Sequence, residues 1–199
     1  MRRWLISLLT LMLPGVAAAA DLVVSVRTTT GAPVSDAVVT LPDIHGALRG
    51  GGPYRMAQHD LQFDPFVLVA PVGAEVAFPN LDRVRHHVYS FSPAHPFELK
   101  LYGRDESRSV RFDKAGVIAL GCNIHDSMVA FIVVVDTPFA VKTDAAGLAV
   151  FHDAPAGAQT IRVWHPYLRA PGNAVTVRGA GRVAVAAEVR PPPARRSLY

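Results

Sequence analysis

The 199-residue sequence has one cysteine, few aromatic residues (8%) and no lysine-rich run. A single cysteine excludes an internal disulfide framework. The absence of clustered basic and aromatic residues argues against nucleic-acid binding. After the first twenty residues, no apolar run approaches the roughly 20 residues that a membrane-spanning helix needs, so we expect no stable membrane insertion.

The N-terminus carries the features of an export signal. Arg2 and Arg3 precede a short apolar run, which ends in small residues with Ala18 and Ala20 before Asp21. This order is typical of a cleaved secretory signal, predicted here over residues 1–20, and it indicates a periplasmic protein; an uncleaved anchor is the alternative. Removing the two arginines from the 20 basic side chains leaves 18 against 16 acidic ones, so net charge does not identify a partner.

The only cysteine lies in the stretch GCNIHDSM, residues 121–128. In an exported protein a lone thiol is exposed to oxidation unless something binds it. His125 and Met128 follow Cys122 at intervals of three residues. Metal ligation is therefore the first hypothesis for this segment.

The mature sequence has the periodicity of an all-β protein. Short runs rich in Val, Ile and Phe are separated by Gly, Pro, Asp and Asn, and no long window has a helical stripe. Many short strands with turns between them favour β-sandwiches. Residues 121–128 are predicted to be a loop between two strands, and FELKLY is predicted to direct Phe97, Leu99 and Leu101 to one face.

Two more histidines could complete a metal site. His86 and His87 lie at a loop-to-strand boundary, and neighbours on a strand point to opposite faces, so only one of them can join Cys122 and His125. Two imidazoles, a thiolate and a weak thioether from Met128 favour a single copper ion. Structural zinc sites use Cys and His but rarely Met.

The central block, residues 55–136, resembles the cupredoxins, the blue-copper proteins of the plastocyanin and amicyanin kind, and is similar to exported methylamine-utilisation proteins. The residues that carry the resemblance are Phe63, Pro65, Val72, Gly73, Val76, Phe78, Asn80, His86, Gly116, Cys122, His125 and Met128. The resemblance implies a Greek-key sandwich with type 1 copper bound by His86, Cys122, His125 and Met128. The offset from Asn80 selects His86, while His87 replaces an Asn of the family and either takes over its hydrogen bonding or faces solvent.

The flanks resemble a second, small β-sandwich, the carboxypeptidase-regulatory-like module. The matching residues are Gly31, Pro33, Val34, Ala37, Val39, Leu41, Thr143, Asp144, Gly147, Pro155 and Gly157. Residues 21–48 and 137–190 would form this module, with the cupredoxin block inserted between them; the alternative is two sandwiches in series. Residues 191–199 are predicted to be a disordered tail.

Electron transfer is the function that these features favour. A copper ion with four protein ligands offers no open position for a substrate, so no enzyme activity is expected. The partner would be a redox protein such as a c-type cytochrome or a dehydrogenase, and the protein would be a monomer. Copper delivery and a purely structural or binding role are the alternatives. His45, His59, His95, His152 and His165 have no paired spacing and are predicted to be surface or structural residues.

Overall fold

The structure is a computed structural model that describes residues 20–47 and 51–191. The predicted signal up to residue 19 and the predicted tail from residue 192 lie outside these ranges. No helix in the described part of the chain is long and apolar enough to span a membrane. The all-β prediction is confirmed, because strands account for nearly all the regular structure.

The strands of the described ranges, with one short 3-10 helix at Pro171–Asn173, are β1 (Ala20–Thr28), β2 (Val38–Thr40), β3 (Tyr54–Arg55), β4 (Ala57–His59), β5 (Gln62–Asp64), β6 (Val67–Pro71), β7 (Ala74–Pro79), β8 (His86–Ser90), β9 (Phe97–Tyr102), β10 (Ser107–Phe112), β11 (Gly116–Cys122), β12 (Val129–Val135), β13 (Ala140–Lys142), β14 (Leu148–Ala154), β15 (Gln159–Trp164), β16 (Ala174–Gly179) and β17 (Arg182–Ala187).

The central strands form two sheets that enclose one core. One sheet has the order β6-β12-β11-β8-β9, the other has the order β10-β7-β3, and β4 and β5 form a separate hairpin. Alternation decides which side chains enter the core: Ala74, Val76 and Phe78 of β7 are buried while Glu75 between them is exposed. The same core contains Cys122 and Met128.

The first and last segments of the chain pair with each other. β1 is antiparallel to β14 and parallel to β17, and β2 pairs with β13 and β15. A second core fills the space between these sheets, built on residues such as Val24, Val39 and Ile161. The domain limits 21–48, 55–136 and 137–190 stay a prediction, as does the likeness of the flanks to a regulatory-like module.

β12 joins the two halves of the molecule because it is buried on both faces. Ile132 and Val134 point into the central core, while Val133 and Val135 pack with Trp164 of β15. The ammonium of Lys142 reinforces the junction, since it donates to the carbonyl of Val67 and pairs with Asp36 at 2.7 Å. The central block is therefore held by the flanking sheets along β6 and β12.

One local prediction is wrong. Phe97 and Leu99 of β9 are half-buried, but Leu101 is 48% exposed and Tyr102 is buried in its place. The β8–β9 register shifts between His86 and Val88, so β9 contains one extra residue opposite β8. Because of this β-bulge, the residues at the end of β9 point to the opposite faces from those that strict alternation of side chains predicts.

Candidate metal centre

Neighbouring strands bring the predicted ligands together. β8 and β11 are antiparallel, with Cys122 opposite Val88. His86 is two residues before Val88 and therefore faces the same side of the sheet as Val88 and Cys122. The first histidine and the cysteine thus point into the central core from adjacent strand ends.

The loop after β11 supplies the remaining candidates. Its turn is closed by the N–H of Met128, which donates to the carbonyl of His125 at 2.9 Å. Met128 is only 1% exposed and packs in the same core cluster as Cys122. The structure agrees that residues 123–128 lie between two strands, β11 and β12. The role of Met128 as an axial ligand stays a prediction.

Three donor atoms converge at this end of the core. The sulfur of Cys122 lies 3.7 Å from Nδ1 of His86 and 3.6 Å from Nδ1 of His125. One ligand atom from each of these three residues lies within 4.8 Å of the other two, and no other such group is found in the described part of the chain. The two imidazole centroids are 5.0 Å apart with the rings tilted by 57°.

These separations fit a shared metal ion. With metal–sulfur and metal–nitrogen bonds of about 2.3 and 2.0 Å, two ligands of one tetrahedral or trigonal ion lie roughly 3.5–3.8 Å apart. The observed distances from the sulfur to both nitrogens fall in that range. Imidazole together with soft sulfur suits copper better than a hard cation such as Mg²⁺.

His87 faces away from this group. Its Nε2 lies 2.8 Å from a carboxylate oxygen of Glu98 on the outer side of the sheet, and its side chain is only partly exposed. The imidazole therefore does not take over the hydrogen bonding of the family's Asn. Instead, the carbonyl of His87 accepts a hydrogen bond from the N–H of Asn123 at 3.0 Å and ties the two ligand-bearing segments together.

The surroundings of Cys122 stabilise its thiolate. Burial acts to raise the pKa of the thiol, but hydrogen bonds from His86, from the backbone N–H groups of His87 and Ile124, and from His125 outweigh it and lower the pKa to about 6. Backbone donors do not depend on the identity of their side chains. The departure from the family pattern at residue 87 therefore leaves this N–H donor to the sulfur in place.

His86 is oriented by a carboxylate that sequence analysis missed. Its Nε2 lies 2.8 Å from Oδ2 of Asp82, so the Nε2–H donates to Asp82; in the metal-free protein the Nδ1–H of the protonated ring donates to the sulfur of Cys122, and a bound metal ion would replace that proton. Burial lowers the pKa of His86, whereas the hydrogen bonds and charges of Cys122 and Asp82 raise it, and the net direction is upward. A carboxylate behind a ligating imidazole fixes its tautomer and its orientation.

Asp82 is itself held by main-chain donors. Its two carboxylate oxygens accept the N–H groups of Asp60 (2.7 Å) and Leu61 (3.1 Å) in the turn between β4 and β5. Its own N–H donates to Oδ1 of Asn80 at 2.9 Å. Asp82 lies in an irregular loop without hydrophobic periodicity, so no sequence pattern marks it as a partner of His86.

The other histidines lie apart from the donor group. His45, His59 and His152 are exposed and approach Asp136, Asp60 and Asp21 respectively at 3.2–3.9 Å. His165 is buried, and its pKa is lowered by burial. None of them belongs to the metal-binding group found among the described residues.

Comparison with solved structures finds copper proteins. A P52G mutant of amicyanin in its reduced Cu(I) form is 21% identical, with 43% of this chain and 85% of that chain covered and a TM-score of 0.39. A purple cupredoxin from Nitrosopumilus maritimus is 20% identical over 41% of this chain and 99% of that chain, with a TM-score of 0.38. A copper-containing nitrite reductase from Thermus scotoductus SA-01 is 23% identical over 56% and 28% of the respective chains, with a TM-score of 0.41.

Neither a protein-family model nor a curated protein matches this chain. Amicyanin and a purple cupredoxin are of the kind that the central block resembles in sequence.

Proposed function

We propose that this protein binds one copper ion of the type 1 kind and transfers single electrons by cycling it between Cu(I) and Cu(II). His86 and His125 would bind through Nδ1, Cys122 through its thiolate, and Met128 through a weaker axial contact. The observation that carries the proposal is the Nδ1–Sγ–Nδ1 group, with separations of 3.7 and 3.6 Å at one end of a packed β-core.

The burial of the donors favours electron transfer over catalysis. His86 is 0% exposed and Cys122 3% exposed, which leaves little room for a substrate beside the metal. Ligands fixed by strands and hydrogen bonds also hold one geometry through both oxidation states, which keeps the reorganisation on electron transfer small. An electron-transfer role without enzyme activity is therefore the function we propose.

His125 is the proposed contact for electron exchange at the end of the molecule. It is the most exposed of the three clustered ligands, and the adjacent Ile124 is 47% exposed. A small apolar surface of this kind suits brief docking of a redox partner, such as a c-type cytochrome or a dehydrogenase. We propose a periplasmic location after removal of residues 1–20, and a monomeric state.

Copper delivery is the competing role, and burial argues against it. Delivery requires ligands that a recipient can approach, whereas His86, Cys122 and Met128 are all almost fully buried. The two functions differ in copper retention. Copper-loaded protein would be taken through repeated chemical reduction and reoxidation in the presence of a weak chelator while bound copper is measured.

Full retention of copper through these cycles supports electron transfer. Loss of the ion to the chelator at the Cu(I) stage supports delivery. Cys122→Ala serves as the control, because it removes the thiolate. The visible copper–thiolate absorption of the copper-loaded protein should therefore disappear in this variant. If Cys122→Ala retains the visible absorption of the wild-type protein, the proposed ligand set is wrong.

A further inference from the structure

An open cleft lies between the β4–β5 turn and the loop that connects β7 to β8. It has a volume of about 540 Å³ and is lined by residues 59–61, residues 81–84 and Arg104. Asp82, the carboxylate that holds His86, is one of the lining residues. This volume falls within the range of small-molecule binding sites, roughly 300–1,000 Å³. The cleft is therefore large enough for a small organic ligand.

Exposed apolar side chains are concentrated in this cleft. Leu61, Leu81 and Val84 all line it and are 41–43% exposed. They are three of the nine large hydrophobic residues that are exposed in the described part of the chain. A single exposed hydrophobic residue needs no explanation, whereas several on one concave surface are typical of a site for an apolar ligand. The lining therefore favours a ligand with an apolar body.

Leu61 is held in a backbone conformation that leucine disfavours. Asp60 and Leu61 form the β4–β5 turn with φ of 52° and 55°, in the left-handed region where a Cβ atom is strained and glycine or asparagine is usual. The N–H of Leu61 donates to Asp82, but a glycine would donate equally well. The leucine side chain thus serves neither the turn nor the core. Strain that the fold does not require is characteristic of functional sites.

The charged side chains of the cleft favour an anion. Arg83 has neither a hydrogen bond nor an ion pair among the described residues, and Arg104 meets only the exposed carboxylate of Asp105, at 3.7 Å. Both guanidinium groups therefore have donors available for a carboxylate or a sulfonate. The carboxylate of Asp60 pairs with a neighbouring imidazole at 3.4 Å. The carboxylate of Asp82 already accepts two main-chain N–H groups and an imidazole, so it offers little to a cation.

We propose that this cleft binds a free small molecule that combines an apolar body with one acidic group, such as an aromatic carboxylic acid. The apolar body would lie against Leu61, Leu81 and Val84. The acidic group would accept hydrogen bonds from Arg83 and Arg104. The surface is concave, so it suits a molecule that enters it rather than the flat surface of a bilayer. The inference goes beyond the proposed electron transfer, because none of these five residues is a proposed copper ligand.

Two fluorescent probes that differ in charge test the two halves of the proposal. 1-Anilinonaphthalene-8-sulfonate carries one acidic group, and N-phenyl-1-naphthylamine has the same ring system without it. Fluorescence titration of the purified protein, in its metal-free or Cu(I) form, measures the affinity and the stoichiometry of each probe. We expect one site per chain and at least severalfold tighter binding of the sulfonate. Equal affinities for the two probes, or no saturable binding of the sulfonate, would overturn the proposal.

Paired variants assign the binding to the cleft. The double variant Arg83→Gln/Arg104→Gln should bind the sulfonate severalfold more weakly and the neutral probe as before. Arg178→Gln, at an exposed position on β16, is its control and should bind both probes like the wild-type protein. Leu81→Ala should weaken both probes, whereas Leu101→Ala, at a leucine of similar exposure on β9, should weaken neither. If the cleft variants behave like their controls, the probes bind elsewhere and the proposal is wrong.

Leu61→Gly separates binding from folding. Glycine accepts a φ of 55° without strain, so this variant should keep its free energy of unfolding while both probes bind severalfold more weakly. Unchanged binding would overturn the role of Leu61 and with it the proposed apolar contact. Should Leu61→Gly fail to fold, the Leu81→Ala and Leu101→Ala pair makes the same test of the apolar lining.

Nuclear magnetic resonance locates the bound probe directly. Titration with the sulfonate should shift the amide signals of residues 59–61 and 81–84, and shifts confined to another surface, such as that around Phe91, would overturn the proposal. Vesicles of phosphatidylglycerol form the last arm: cosedimentation that the double arginine variant abolishes, without binding of the free sulfonate, would assign the cleft to a membrane instead. None of these readouts uses bound copper, so failure of the proposed electron transfer would leave this inference standing.

Discussion

At the scale of single residues, the centre depends on hydrogen bonds as much as on the ligands. Cys122 is surrounded by N–H donors, and His86 is fixed between the sulfur and the carboxylate of Asp82. The proximity of Cys122 and His125 could be predicted because they occupy one short segment, whereas Met128 as a ligand stays a prediction. Asp82 could not be predicted, since its contact with His86 depends on how an irregular loop folds.

Replacing Asp82 should weaken copper binding while leaving the ligands intact. Asp82→Asn removes the charge that holds the Nε2–H of His86, and loss of such a partner typically costs about 10–100-fold in metal affinity. Competition with a chelator of known affinity measures the change. Asp105→Asn, at an exposed turn, is the matched control and should bind copper like the wild-type protein. Equal affinity in both variants would mean that Asp82 does not support His86.

The metal-free protein should have an unusually acidic thiol. The donors around Cys122 lower its pKa to about 6 from the ordinary value of 9.0, so the thiolate predominates at neutral pH. Because the pKa of the thiol is lower in the folded than in the unfolded protein, the thiolate stabilises the folded state. This stabilisation is fully present above pH 9 and is lost as the pH falls through about 6. Thiolate absorbance in the ultraviolet, measured against Cys122→Ala, gives the titration. A midpoint near the ordinary thiol value would contradict this environment.

At the scale of the strand, the β-bulge in β9 determines which side chain at the end of β9 enters the core next to the metal-binding group. It turns Tyr102 into the core, where the hydroxyl donates to Oε1 of Gln58 at 2.6 Å and the carbonyl accepts from Nδ2 of Asn80 at 3.1 Å. Asn80 also receives the N–H of Asp82, so the bulge is linked to the loop that leads to His86 at the start of β8. The sequence predicts the strand correctly, but simple alternation assigns Leu101 to the wrong face because a bulge adds one residue.

Removing the hydroxyl of Tyr102 should destabilise the fold. Tyr102→Phe leaves the buried Oε1 of Gln58 without its donor, and an unsatisfied buried acceptor costs about 1–3 kcal/mol. Denaturant unfolding of the metal-free protein measures the loss. Tyr167→Phe, at a half-buried tyrosine, is the comparison and should change stability little. A negligible loss for Tyr102→Phe would show that this hydrogen bond contributes little to stability.

At the scale of the whole molecule, strands from the two ends of the chain form sheets that cover one side of the central block. The contact follows β12 and β6. The outer face of β12 could be expected to be buried from its unbroken apolar run, which is typical of strands covered on both sides. Which sheet covers it depends on long-range pairing that no local pattern reveals.

Substitution of Trp164 tests whether the contact between the flanking sheets and β12 stabilises the fold without affecting the proposed copper site. It packs against Val133 and Val135, and its ring lies 5.7 Å from that of Phe131. Trp164→Ala should lower the free energy of unfolding by roughly 3–5 kcal/mol, the usual cost of truncating a large buried aromatic residue. The visible spectrum of the copper-loaded protein should be unchanged. A changed spectrum would mean that the flanking sheets act on the metal centre directly.

The most direct measurement of the central claim is the visible spectrum of the copper-loaded protein, compared between His86→Ala and His87→Ala. The side chains of these neighbours point to opposite faces of the sheet. Nδ1 of His86 lies 3.7 Å from the sulfur of Cys122, whereas His87 pairs with Glu98 on the outer side of the sheet. The wild-type protein and His87→Ala should both have an intense copper–thiolate band, with one copper per chain. His86→Ala should lose or grossly alter it. A wild-type protein without the band, or a band that survives in His86→Ala, would contradict the account.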